Sequence, residues 1–131
     1  MVGRTEPRWV LRQAVLSFHS RQLAEHGGGE GVRDAALLDS ALARAENKFA
    51  YGEPDLFDLA AAYAYGIASN HPFVDGNKRT AYVTAMTFLR LNGYRVTASQ
   101  TDKYETFIRL AAGELDEDTL ASWFRANAEA L

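Results

Sequence analysis

Apolar positions recur at helical spacing along almost the whole chain. Leu11, Val15 and Phe18 share one face of a helix predicted over residues 8–25, with Pro7 a permissible first-turn residue. Leu38, Leu42 and Ala45 face inward from a second helix over 35–47. A third, over 56–70, has Leu56, Ala60, Tyr63 and Ile67 in register behind an Asp55 cap, and Asp58 sits where an acid suits the helix dipole. Its run of alanines allows close approach of neighbours and marks it as a buried central helix. The fourth, over 77–92, carries Ala81, Ala85, Phe88 and Leu89 and stops at Gly93. Residues 94–97 alternate as a short extended piece, too short to make a sheet. A fifth helix over 101–112 aligns Tyr104, Phe107, Ile108 and Ala111 and ends at Gly113. Asp116 caps a sixth, whose Leu120, Trp123 and Phe124 read as core. These elements predict an all-α orthogonal bundle of about six helices, with residues 1–131 as a single domain.

Composition narrows this picture. The chain has 131 residues, long enough to bury a core, with 47% hydrophobic and 24% charged positions. A net charge of −3 leaves no basic footprint, so no direct nucleic-acid partner is expected. The absence of cysteine excludes disulfides and thiolate metal sites and suits a reducing cytoplasm. No apolar run approaches the ~18 residues of a membrane span, and the N-terminus lacks the apolar region of a signal peptide.

The chemistry is concentrated between the third and fourth helices, in His71-Pro72-Phe73-Val74-Asp75-Gly76-Asn77-Lys78-Arg79-Thr80. Pro72 biases His71 out of the helical region, and Asp75-Gly76-Asn77 is turn chemistry. The fourth helix then begins with free N–H groups and its positive dipole end facing the loop, a site for anions and for phosphate above all. Lys78 and Arg79 occupy the first turn, where cations disfavour the helix unless an anion sits there. Asp75 is a hard oxygen donor suited to Mg²⁺, and His71 suits proton transfer near neutral pH. Base, metal ligand and anion cradle together describe phosphoryl or nucleotidyl transfer from a nucleoside triphosphate.

Elsewhere the chain is plainer. His19 and His26 read as surface or core-edge histidines, since metal binding would need further ligands. Gly27-Gly28-Gly29-Glu30-Gly31 lacks the Gly-Lys-Ser/Thr of a phosphate loop and reads as a helix stop followed by a mobile loop.

His71-Pro72-Phe73-x-Asp75-Gly76-Asn77-Lys78-Arg79 resembles the signature of the Fic/Doc superfamily, in its death-on-curing (Doc) toxin branch. The common Fic form is H-P-F-x-D/E-G-N-G-R-x-x-R, and those enzymes usually transfer AMP to a target hydroxyl. Lys78 stands where the second glycine would be and Tyr82 where the second arginine would be, as is typical of the Doc branch. The resemblance implies a Fic/Doc-like bundle with the signature loop between two central helices. It also implies a toxin of a toxin–antitoxin system: a protein kinase moving the γ-phosphate of ATP, with Mg²⁺, to a threonine of elongation factor Tu and halting translation. AMP transfer, or a catalytically silent nucleotide- or antitoxin-binding module, are the alternatives.

The resemblance implies roles as well. His71 is then the general base, with Lys78 and Arg79 beside it in catalysis. Asp75 is the metal ligand, and Gly76, Asn77, Lys78 and Arg79 bind the nucleotide, Asn77 and Lys78 through side chains as well as backbone. Phe73 anchors the loop. Val32-Arg33-Asp34 matches a segment that commonly follows the family's glycine-rich loop. A flap ahead of the central helices makes Lys48, Phe49, Tyr51 and Gly52 candidates for contact with the target protein. The inhibitory Ser/Thr-x-x-x-Glu-Gly/Asn helix of many Fic proteins has no match here, which implies inhibition in trans by a Phd-type antitoxin.

Overall fold

A computed structural model describes residues 5–131. Six helices follow one another: α1 (Arg12–His26), α2 (Ala35–Tyr51), α3 (Leu56–Asn70), α4 (Asn77–Leu91), α5 (Gln100–Ala111) and α6 (Glu117–Ala126), with short strands β1 (Tyr94–Val96) and β2 (Ala128–Ala130). None of the described helices is long and apolar enough to cross a membrane.

α3 is the centre. Residues 59–64 and 66–68 of it are buried, and α2, α4 and α6 pack around it while α1 lies against α4. Its small side chains allow this. A Cβ on Gly66 would stand 3.0 Å from the Ala41 carbonyl oxygen, so α2 approaches to backbone contact there. Tyr63 fills the space toward α4, tilted against Phe88 at 5.2 Å, and burial pushes its phenol up to about 12.

The start of α3 is held twice. Asp55 accepts from the Asp58 N–H while the Asp58 side chain accepts from the Asp55 N–H, a reciprocal cap. Arg125 of α6 bonds both carboxylates. Burial raises the Asp55 carboxyl, but the Asp58 N–H and the Arg125 guanidinium outweigh it and hold it below its ordinary value. A depressed carboxyl stabilises the fold above its unfolded pKa and loses that contribution as pH falls through the folded one. Asp55→Asn keeps a cap acceptor and loses the ion pair. Its melting temperature should therefore lie about 2 °C below the parent at pH 7, with the gap closing in strong acid. A gap that stays constant with pH, followed by circular dichroism, refutes this.

Three expectations need correction. Helix α1 begins at Arg12, not near Arg8, because the backbone of 8–10 is committed elsewhere. Arg8 exchanges two hydrogen bonds with the Asn92 side chain, and the Val10 N–H goes to the Tyr63 hydroxyl. The segment expected to be a flap is instead the last turn of α2. Lys48 pairs there with Glu117 of α6, Phe49 packs edge-on against Trp9, Tyr51 is exposed, and Gly52 ends the helix. Finally, the extended piece after Gly93 does make a sheet, antiparallel with β2 in the register Tyr94–Ala130, Arg95–Glu129, Val96–Ala128. Ala-Glu-Ala carries no strand preference. Bonds from the Thr97 N–H to the Asn127 carbonyl and from the Leu131 N–H to the Gly93 carbonyl bracket the pairing.

Candidate functional site

The loop between α3 and α4 is built by its own residues and by two distant segments. His71 ends α3 in the left-handed region, φ 49° and ψ 56°, and its N–H closes the helix on the Ile67 carbonyl. Pro72 and Phe73 turn inward and are buried. Gly76 precedes α4 at φ 78°, a conformation that glycine adopts without strain.

Asn77 closes the loop. Its side-chain oxygen accepts from the Phe73 N–H at 3.0 Å and its amide donates to the Phe73 carbonyl at 3.0 Å. The carboxamide that was expected to line the anion site is thus taken up by the loop itself. The Asn77 backbone N–H remains at the helix start.

No side chain caps α4 and no acid lies in its first turn. α1 likewise starts without a side-chain cap, whereas α2, α3, α5 and α6 are each capped by an aspartate or serine side chain. An uncapped helix start that also bears Lys78 and Arg79 has the electrostatics that suit an anion.

His71, Asp75, Gly76, Asn77, Lys78 and Arg79 line one open cleft of ≈ 500 Å³, and α1 contributes Gln22 and His26 to its wall. Arg79 donates to His26 Nε2 at 2.8 Å, so the His26 proton sits on Nδ1. Gln22 is 7% exposed, and its amide nitrogen has no hydrogen-bond partner. It offers a buried donor on the cleft wall. Lys78 and Arg79 are shared with a second cleft of ≈ 240 Å³ between α4 and α5, lined also by Tyr82, Gln100, Lys103, Tyr104 and Phe107. There the Lys78 ammonium lies 5.8 Å from the Tyr104 ring centroid.

Asp75 is the only carboxylate on the first cleft. One of its oxygens accepts from the Gly76 N–H at 2.8 Å, and the other faces Gly28. No group of three or more His, Asp or Glu side chains able to hold a metal occurs among the described residues. A lone carboxylate does not suit a metal caged wholly by protein. It does suit Mg²⁺, which shares its shell between one or two carboxylates and phosphate oxygens.

Four residues outside the motif, none of them given a role in the site from the sequence, shape this loop. His19 is the core-edge of the two alternatives, not the surface one: it is 4% exposed, stacks on Phe73 with centroids 3.9 Å apart, and bonds the Asp75 carbonyl through Nε2 at 2.8 Å. His26 meets Arg79. Gly28, at φ 121°, lets the glycine-rich loop press on Asp75, since a Cβ there would stand 2.6 Å from the free carboxylate oxygen. Arg33 reaches the end of α3, donating to the His71 and Asn70 carbonyls. Their sequence signals were histidines on or just past α1, a clustering of glycines and the family-like Val32-Arg33-Asp34 segment, none of which names the partner.

Comparison with known proteins places the chain in a family. Residues 9–89 match the Fic/DOC family. "Toxin Doc" of Mycolicibacterium smegmatis is 43% identical over 119 residues, covering 87% of this chain and 88% of that protein. "Protein kinase doc" of Escherichia phage P1 is 31% identical over 119 residues, covering 90% and 94%. The chain belongs to the Fic/DOC family.

Proposed function

We propose that this member of the Fic/DOC family is a Doc-like toxin, a single-domain protein kinase that uses ATP and Mg²⁺ to phosphorylate a threonine hydroxyl of elongation factor Tu. Its restraint would come from a Phd-type antitoxin. The observation that carries the reading is the uncapped start of α4, with Lys78 and Arg79 in its first turn, sharing one cleft with His71 and Asp75. The names of the two relatives, a toxin and a protein kinase, support the toxin and kinase parts of it.

In this reading His71 takes the proton of the target hydroxyl as its oxygen bonds to the γ-phosphorus. The bond from that phosphorus to the β-bridging oxygen breaks, and ADP leaves. The backbone N–H groups of Asn77 and Lys78 and the Lys78 ammonium hold the phosphate chain. Arg79 neutralises charge that builds on its oxygens in the transition state. Turning to phosphate requires Arg79 to leave His26, a neutral acceptor and hence a weak competitor for a guanidinium. Asp75 would hold Mg²⁺, which supplies charge neutralisation on the phosphate oxygens when bound.

Paired labelling tests the proposal. The chain, Mg²⁺ and elongation factor Tu receive ATP labelled at the α- or at the γ-phosphate. Label from the γ position alone is expected. Label from the α position replaces the reading with AMP transfer, and none from either replaces it with a silent binding module.

Gly28→Ala probes Asp75 without touching it. The new methyl must displace the carboxylate, and φ 121° strains any side chain there. The variant should need about tenfold more Mg²⁺ for half-maximal transfer, the usual scale for disturbing a ligand's surroundings. Excess Mg²⁺ should largely restore the rate. An unshifted Mg²⁺ titration argues that Asp75 does not hold the metal.

A further inference from the structure

His71 is the one non-glycine residue, among those described, whose backbone lies in the left-handed region. A Cβ disfavours that region, so surrounding structure must enforce it. α3 supplies one restraint, its final hydrogen bond from the His71 N–H to the Ile67 carbonyl at 3.2 Å.

A second and larger set of restraints comes from 38 residues earlier in the chain. Arg33 Nε donates to the His71 carbonyl at 2.7 Å and Arg33 Nη2 to the Asn70 carbonyl at 3.0 Å, so one planar guanidinium spans two consecutive carbonyls. The backbone of the same segment adds to this. The N–H groups of Arg33 and Asp34 both donate to the Pro72 carbonyl, at 2.7 and 3.1 Å, and Val32 forms a bridge with Phe73. Carbonyls 70, 71 and 72 are therefore all held by one strap. Arg33 makes no ion pair among the described residues, so its charge is directed at the negative end of α3. Asp34 in turn caps α2 through the Leu37 N–H, and the Asn70 amide donates to the Leu37 carbonyl. The strap is thus fixed to a rigid element on its far side.

We propose that Arg33 is a positioning residue for the transfer reaction: its fork holds His71 in the left-handed conformation that aims the imidazole into the cleft. This rests on the reading of His71 as the base. Arg33 itself does not line the cleft. A lysine cannot reproduce the fork, because its ammonium is a point donor on a flexible stem.

Arg33→Ala and Arg33→Lys test this by two independent readouts. The first needs no turnover. The three-bond HN–Hα coupling of His71 and the carbonyl ¹³C shifts of Asn70 and His71 should change in Arg33→Ala, and unchanged spectra overturn the proposal. The second is kinetic. In Arg33→Ala, kcat for γ-label transfer should fall about 100-fold, the scale of a misplaced catalytic group, with KM for ATP within about twofold of the parent. Arg33→Lys, which keeps one donor, should recover roughly tenfold of that loss. Unchanged kcat in Arg33→Ala, a rise in KM accounting for the loss, or a lysine variant no better than alanine overturns it. Should Arg33→Ala fail to melt cooperatively, Arg33→Lys decides: kcat at the parent level and unmoved spectra refute the proposal. Transfer that survives His71→Ala removes the underlying reading instead, and the spectra remain the test of the strap.

Discussion

His71→Ala should lower γ-phosphate transfer by about 1,000-fold, the middle of the range for loss of a positioned general base, while the protein melts as the parent does. The separation of the two effects follows from where the side chain is. His71 is exposed, and the hydrogen bonds at that position run through its backbone, to Ile67 and from Arg33. Removing the imidazole therefore empties no core space. Alanine meets the same left-handed backbone with the same Cβ, so the strain is nearly unchanged. His71→Asn sharpens the test, because asparagine tolerates that region better than most residues and still offers no base of suitable pKa. Both variants should bind ATP within a few-fold of the parent, since the phosphate contacts assigned to α4 are untouched. Initial rates of label transfer, measured beside thermal melts and ATP binding, check all three statements. Transfer within threefold of the parent in either variant would take His71 out of the mechanism.

The part of this fold that could be read from sequence is the part built by neighbours in the chain. α3 runs from Leu56 to Asn70 as expected, because Asp55 and Asp58 cap its start and Pro72 closes off its end within a few residues. Gly93 likewise marks the end of α4 at short range, with φ 92° just past the Asn92 cap. What escaped was set by pairing across the chain. His19 and Asp75 are 56 positions apart, Arg33 and His71 are 38 apart, and Arg79 and His26 are 53 apart. No local periodicity records such partners. The misplaced start of α1 has the same origin, because Pro7 and the residues after it satisfy a helix pattern locally. Tyr63 and Asn92 nevertheless claim the backbone groups that the first turn would have used.

Extended past its motif, the family resemblance placed a flap where the chain is still helical. Lys48 and Phe49 were assigned to a target-binding flap by position, yet Glu117 and Trp9 hold them in the body of the bundle. Within the signature loop the residues do assemble on one cleft, but Asn77 shows that assembly is not role. Its side chain is spent on the Phe73 backbone, a use that residue identity alone could not distinguish from anion binding.

Lys78→Gly should reverse the phosphate that is transferred. Lys78 lines both the ≈ 500 Å³ cleft at the signature loop and the ≈ 240 Å³ cleft between α4 and α5, where its ammonium lies 5.8 Å from the Tyr104 ring centroid. With Arg79, which also lines both, it forms the wall the two clefts share. A glycine removes its part of that wall together with a cation from the start of α4, and gives this chain the residue that the common Fic form has there. γ-Label transfer to elongation factor Tu should drop about 100-fold, the scale for losing one preorganised group that stabilises developing charge, and α-label transfer should rise from background. The cost to the fold is small, at most about 1 kcal/mol for glycine in a helix, so a melt can verify that the variant is folded. Lys78→Ala separates charge from space. It loses the ammonium but keeps a Cβ against the phosphate path, so γ-transfer should fall without any gain from the α position. If alanine gains α-transfer equally, charge and not room decides how the nucleotide lies. If Lys78→Gly keeps γ-only transfer at the parent rate, Lys78 is neither wall nor phosphate ligand, and the choice between the two reactions must lie elsewhere on the cleft.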